Sequence, residues 1–299
     1  DTALTNKTST MRMANNLGIN YGYYKEKISL GVGGSINLSK EENRYEYLNS
    51  PDSVVKNNYL NLSPRMNFSY TLSKRSNLNL NYSGNTTSPS ADQLQDILDV
   101  RDQLSVSKGN PDLKKTFSQS ASMSFSSSLI SEEKFSFLHA SVNFNNSFNN
   151  IASATQFINN DTIINGYEVL RGARLTMPVN LNGQWSISTN VNYSFGIKSL
   201  KLRLNPSISY SYSHTPSIYD NIKNFTNSHN ATFNLGINSN ISENLDYNIS
   251  SRTSYSSSTS ATTGGSNSFT QSVNANAKWV FWKEFILAGD YSYTYTLSK

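Results

Sequence analysis

Cysteine is absent from this 299-residue chain, which removes disulfides and thiolate metal sites. No run of about 18 apolar residues occurs, so no transmembrane helix is expected. Charge is sparse at 15% of residues, and the net +5 is spread along the chain. It forms no Lys/Arg stripe of the kind nucleic-acid binders carry, so nucleic acid is not an expected partner. Only three histidines occur, His139, His214 and His229; the first falls mid-strand at a polar position and the other two flank a loop. In so serine-rich a chain a Ser/His/Asp set can always be drawn, so it carries no signal. We expect no enzyme, no catalytic residue and no cofactor.

A metal site is also not expected. Asp92, Asp96, Asp99 and Asp102 share one loop, and hard cations do take clustered carboxylates. However, Asp92, Asp96 and Asp99 have the spacing of one face of a short helix, with Leu94, Ile97 and Leu98 between them, which reads as a solvated loop helix. Gly264-Gly265 lacks the strand-to-helix context of a phosphate cradle. Asp1-Thr2-Ala3-Leu4-Thr5 has neither a basic start nor an apolar stretch and is no signal peptide. The chain reads as mature or as a piece of something longer.

Alternation is what the chain has in quantity. Apolar residues make only 36% of it, while Ser and Asn together make about three residues in ten. Such a bias suggests disorder, but 18 Tyr and 14 Phe fall in phase with period-two runs. Leu60, Leu62, Pro64, Met66, Phe68, Tyr70 and Leu72 take every second position, then Ser73-Lys74-Arg75-Ser76 turns the chain into Leu78, Leu80, Tyr82 and Gly84. Each such strand has one apolar and one polar face, and a pair joined by a short polar turn is a hairpin. A wall with an apolar outside and a wetted inside explains low hydrophobicity and abundant aromatics together, as in a transmembrane β-barrel.

Taken in order, the runs predict about 12 strands in a meander. Short turns fall near 25, 74, 132, 198, 243 and 283. Long loops fall at 41–56, 88–114, 156–172, 214–228 and 256–267. Outer-membrane barrels have this asymmetry, with short periplasmic turns and long extracellular loops; a sandwich has no reason to sort loops by length. A β-solenoid would need a fixed repeat length, and the strand spacing varies too much for that. Aromatics gather beside the short turns (Tyr21, Tyr23 and Tyr24; Tyr193 and Phe195; Trp279, Phe281, Trp282 and Phe285), where an interfacial girdle belongs. The phase slips between Phe137 and Leu138, which predicts a β-bulge. Leu175 to Phe195 hold one phase and read as one long strand, although Pro178 and Asn182-Gly183 offer a place to split it.

The region 60–117 resembles a known family, the outer-membrane β-barrel of TonB-dependent receptors, in the subtype with a carboxypeptidase-regulatory-like domain ahead of the plug. The residues that carry the resemblance are Ser63-Pro64-Arg65-Met66, Tyr70 with Leu72-Ser73, Leu78-Leu80-Tyr82, Ser88-Pro89-Ser90 with Gln93-Leu94, and Gly109-Asn110-Pro111-Asp112-Leu113-Lys114. The resemblance implies a 22-stranded barrel filled by an N-terminal plug. This chain has about 12 strands and no plug-like segment, and it ends Thr296-Leu297-Ser298-Lys299 rather than on an aromatic strand. Residues 1–299 are therefore expected to be a single barrel portion without plug or N-terminal domains, its first and last strands open edges.

The expected fold is thus all-β, an antiparallel up-and-down transmembrane barrel in a Gram-negative outer membrane. The resemblance implies an outer-membrane receptor and transporter for TonB-dependent uptake of a nutrient, with a plug and a periplasmic TonB-type coupler as partners alongside membrane lipid. The alternative is a non-transporting barrel: an adhesin, a passive pore or a scaffold for a surface lipoprotein. Function lives on loops held by a rigid scaffold. Asp99, Arg101, Asp102, Tyr219 and Asp220 are the expected ligand-binding candidates.

Overall fold

The structure is a computed structural model that describes residues 6–47, 53–130, 135–239, 244–262, 264–281 and 285–299. The expected turns at Ser50-Pro51-Asp52, Ser131-Glu132-Glu133, Ser242-Glu243 and Trp282-Lys283-Glu284 lie outside the described residues. The chain opens with β1 (Asn6–Lys25), β2 (Ile28–Tyr47), β3 (Ser53–Ser73) and β4 (Ser76–Thr87). A structured excursion follows: α1 (Ala91–Leu94), β5 (Leu98–Asp99) and β6 (Ser105–Lys108). Then come β7 (Thr116–Ile130), β8 (Phe135–Phe148) and β9 (Asn150–Phe157). The hairpin of β10 (Thr162–Ile164) and β11 (Tyr167–Val169) leads back through β12 (Arg174–Leu181) into β13 (Gln184–Ile197). The rest is β14 (Leu202–Tyr219), β15 (Ile222–Ser239), β16 (Leu245–Ser260), β17 (Gly264–Phe281) and β18 (Phe285–Ser298).

Twelve of these strands form one antiparallel wall in the order β1-β2-β3-β4-β7-β8-β13-β14-β15-β16-β17-β18. On this path the expected dozen is met, although 18 strands occur among the described residues and 16 of them share one sheet. Closure is not met: among the described residues β1 and β18 pair only inward, with β2 and β17, so the wall is an open sheet of twelve, smaller than a 22-stranded barrel. No helix among the described residues is long and apolar enough to cross a membrane.

Register explains the composition. Through most of the wall the register sets apolar positions opposite apolar ones, for example Ile208 opposite Phe233, or Tyr82 between Met66 and Ala121. The other face is hydroxyl and carboxamide; on β7 it reads Ser118, Ser120, Ser122, Ser124, Ser126 and Ser128. On this face serine hydroxyls couple across strands, Ser118 to Ser147 at 3.1 Å. These small polar side chains keep the inner face wet and shallow, while Leu, Ile, Phe and Tyr on the outer face stay exposed for lipid.

Five sequence expectations are corrected. Segments 214–228 and 256–267 are mostly ladder: β14 and β15 meet at Asp220-Asn221, both at positive φ (47° and 62°), the signature of a two-residue hairpin turn. Likewise β2 runs to Tyr47 and β3 starts at Ser53. The expected bulge at Phe137/Leu138 is absent, because β8 keeps one register against both β7 and β13. Phe135 and Phe137 simply turn to the polar face, where the Arg203 guanidinium lies 4.4 Å from the Phe135 ring centroid and supplies the cover that an inward aromatic needs. The register shifts at Thr71/Ser73 instead, between β3 and β4. Finally, the run from Leu175 to Phe195 is two strands, broken at Gly183 (φ 106°).

That break has a topological consequence. Below it, β13 lies between β8 and β14. Above it, β9 takes the place next to β14, in parallel at Ile218↔Ala154, and β12 moves out to pair with β6, also in parallel. The two arms of one long hairpin exchange places in the sheet. Aromatic belts mark both ends of the wall. Tyr193–Phe195 (5.2 Å) and Trp279–Phe281 (5.2 Å) stand at the short-turn end as expected. A second belt around Trp185, Tyr212 and Phe225 stands at the long-loop end, where the sequence reading placed none. Trp185 and Phe195 are separated by roughly 33 Å of strand at about 3.3 Å per residue, or about 25 Å of height at a tilt of about 40°.

Candidate ligand-binding site

The strand exchange is held by three asparagines. Asn149, at positive φ, donates its N–H to Asn182 Oδ1 (2.7 Å). Asn180 Nδ2 donates to Asn149 O (2.8 Å) and to Lys114 O (2.9 Å), and Asn180 Oδ1 accepts from Lys114 N (2.6 Å). A kink leaves backbone groups without ladder partners, and short carboxamides replace those partners. Above them β6, β12 and β9 carry a cap whose apolar cluster, Leu98, Val106, Ile158, Val169 and Ala173, is the buried core of the described chain. The wall itself has no such core because its apolar face is for lipid.

The two halves of the sequence motif fold onto each other beneath this cap. Ser90 and Gln93 make a capping box around α1: Ser90 Oγ accepts from Gln93 N (3.3 Å) and Gln93 Oε1 accepts from Ser90 N (3.0 Å). Gly109 N donates to Gln95 O (3.0 Å) and Asn110 N to Gln93 O (2.6 Å). Asn110 Nδ2 then reaches Pro178 O (3.0 Å), and Asn110 Oδ1 accepts from Asp112 N (3.0 Å). Gly-Asn-Pro therefore ties the loop, the start of β7 and β12 into one joint.

Between the loop and the β9/β12 arms lies a cleft of about 760 Å³, within the range of small-molecule sites. Ile97, Ile151, Met177 and Pro178 give it apolar walls, and Asp92, Asp99, Arg101, Lys108 and Gln95 give it polar groups. Gln95 Nε2 is a buried donor without an acceptor among the described residues, which carries a desolvation cost. Lys108 Nζ pairs with Asp96 Oδ1 at 2.9 Å. Asp99 and Arg101 form a salt bridge, and the Arg101 side chain, then its backbone N–H, hold the Asp99 carboxyl below the usual carboxylate range against a small opposing effect of burial.

Of the sequence candidates, Asp99 and Arg101 line this cleft. Asp102 does not; its Oδ1 accepts from Leu104 N (2.9 Å) and fixes the turn before β6. Tyr219 and Asp220 sit at the β14–β15 turn and brace β9. Asp220 Oδ1 accepts from Phe157 N (2.8 Å), Asp220 N donates to Thr155 O (2.9 Å), and Tyr219 packs edge-on against Phe157 at 5.6 Å. The expected loop helix is one turn, Ala91–Leu94, so Asp96 and Asp99 lie beyond it. Among the described residues no metal-binding group of acids and histidines occurs. As lining residues, Met177, Pro178 and Ile151 are not marked by the sequence: Met177 sits in an ordinary alternating run, Pro178 reads as a strand breaker and Ile151 follows the end of a run. Nothing local to them announces a kinked hairpin.

A family model described as the outer membrane protein beta-barrel family matches residues 1–286. No curated protein matches the sequence. Among solved structures, a mutant of the ferric enterobactin receptor of Pseudomonas aeruginosa is similar at 11% identity with a TM-score of 0.43, covering 97% of this chain and 54% of that one. A loop-deletion mutant of OmpT, an outer membrane protein of Vibrio cholerae, is similar at 4% identity with a TM-score of 0.30, covering 98% and 94%. The chain thus spans about half the length of the first structure. Likenesses this distant carry no functional argument.

Proposed function

We propose a function from one premise: the chain belongs to the outer membrane protein β-barrel family, and its place is the bacterial outer membrane. In this reading it is part of the barrel of a TonB-dependent receptor that takes up a scarce nutrient. The remaining wall, a plug in the lumen and a periplasmic TonB-type coupler lie outside this chain. The observation that carries the reading is the cap cleft of about 760 Å³, built by the paired Ser90/Gln93 and Gly109/Asn110 segments on a rigid wall. A passive wall has no need of a cap with its own hydrophobic core. Asp99 and Arg101 would contact the ligand there, and Asp102, Tyr219 and Asp220 would hold the loops that frame it.

The test is growth of a strain lacking the gene on single nutrients at limiting supply, with the coupler present or deleted. A nutrient whose use needs both supports uptake; nutrients used equally without either contradict it. The second reading is a non-transporting barrel, such as a passive pore, an adhesin or a lipoprotein scaffold. The observation that favours a pore is the neutral Ser/Asn inner face, which suits water and uncharged solutes.

A further inference from the structure

We propose that the outer belt on β14 and β15 is a binding site for the phosphate of a glycolipid in the outer leaflet. Along the lipid-facing side the side chains change in order toward the long-loop end. Ile208 and Phe233 come first, then Tyr210, then Tyr212 opposite His229, then His214 opposite Asn227, then Phe225, and last Lys223. Hydrocarbon gives way to aromatic polar tips and then to a cation, the sequence of a membrane–water boundary.

The polar groups are positioned rather than scattered. Asn227 Oδ1 accepts from the Tyr212 hydroxyl (2.8 Å) and from His214 Nδ1 (2.6 Å). The Tyr210 hydroxyl is 2.9 Å from His229 Nδ1; donating there, it leaves the His229 proton on Nε2, aimed at a different acceptor. The His214 ring stacks on Phe225 at 4.5 Å, and Lys223 Nζ stands 5.0 Å from the centroid of that same Phe225 ring. The ammonium is thereby held at the lipid boundary, and besides the Phe225 ring its contact among the described residues is Asn182 O at 3.5 Å. An ammonium with weak protein partners, above two histidines and a carboxamide on a lipid-facing wall, asks for an anion presented by lipid. Arrangements of this kind suit phosphate: Lys223 supplies a point charge and His229 Nε2 a donor, while His214, its Nδ1 proton given to Asn227, stacks on the Phe225 ring that seats the ammonium. A carboxylate-free lipid face over this stretch adds nothing to repel it: 208, 210, 212, 214, 225, 227, 229 and 233 are all uncharged or basic types.

The experiment uses the full chain in phosphatidylcholine nanodiscs. The probes are a bisphosphorylated acylated glucosamine disaccharide, its dephosphorylated form, and inorganic phosphate, and native mass spectrometry counts retained lipid. The expected result is preferential retention of the phosphorylated lipid, reduced about tenfold by Lys223→Gln and by His214→Gln, and unchanged by Lys25→Gln at the opposite end of the wall. Circular dichroism of each variant confirms the sheet. Equal retention of both lipids, or equal retention by the Lys223 and His214 variants, overturns the proposal. Displacement by millimolar inorganic phosphate overturns it too, because the site would then be one for a soluble anion.

Discussion

Gly109 donates its N–H to Gln95 O at 3.0 Å, and a Cβ built on Gly109 would stand 2.2 Å from that same oxygen. The glycine of the Gly-Asn-Pro segment is therefore a close-approach glycine. It lets the β7 lead-in pass under the α1 turn, where Asp92 O and Gln93 O also come within 2.8 Å of the missing Cβ.

Gly109→Ala should displace the 90–97 turn and destabilise the cap by about 1–3 kcal/mol, the usual cost of forced overpacking. Hydrogen exchange should rise in 90–110 and 150–178 while the wall strands keep their protection. Unchanged exchange in the cap would show that the joint does not depend on this approach.

At the strand exchange, Gly183 (φ 106°) occupies backbone that an L-residue enters only with strain of about 1–3 kcal/mol. Gly183→Ala and Asn182→Ala should each loosen the kink, the second by removing the acceptor of Asn149 N (2.7 Å). Limited proteolysis should then nick 157–173 faster than in the parent chain. Equal rates for both variants would mean that Asn180 alone holds the arms.

Much of this was legible in the sequence, and the limits have physical reasons. Period-two alternation is a local signal, so the runs 60–72 and 78–84 gave the right strands and the right faces. The twelve-strand count follows from the same signal. Loop lengths were over-read at 214–228, because His214, Asn227 and His229 are polar residues on the lipid-facing side and broke the apparent phase although the ladder continues. Phe135 misled in the opposite sense: an inward aromatic under Arg203 looked like a slip in register. Asp99 and Arg101 were found because charged pairs in a loop stand out. Gln95, Met177 and Pro178 needed the exchange of β9 and β12, which rests on contacts far apart in sequence.

The Asp99 carboxyl is held below its ordinary range by Arg101, so the local order it supports is present at neutral pH. That order is lost only as pH falls through the lowered value. Because the pair is exposed (80% for Arg101 and 37% for Asp99), global stability should hardly change. An NMR titration of the Asp99 side chain should give a midpoint below that of a model peptide, and Arg101→Gln should raise it only part of the way, because the backbone N–H of residue 101 still donates to Asp99 Oδ1 (3.1 Å). A normal midpoint in the parent chain would contradict the pairing.

Orientation follows from the connections. An epitope inserted between Ala261 and Thr262, at the β16–β17 turn on the long-loop end, should bind antibody on intact cells. One inserted at 242–244, on the short-turn end, should bind only after permeabilisation. The reverse pattern would invert the wall.

Energised capture through the cap cleft is the central claim, and it is tested most directly by accumulation of the labelled nutrient in intact cells. The comparison is between the full receptor gene and the same gene with 91–108 replaced by a short Gly/Ser linker, each with and without a protonophore. The account predicts accumulation only with the intact cap, collapsing when the proton gradient is removed. Accumulation that survives both cap replacement and protonophore would contradict it and assign the wall to a passive pore.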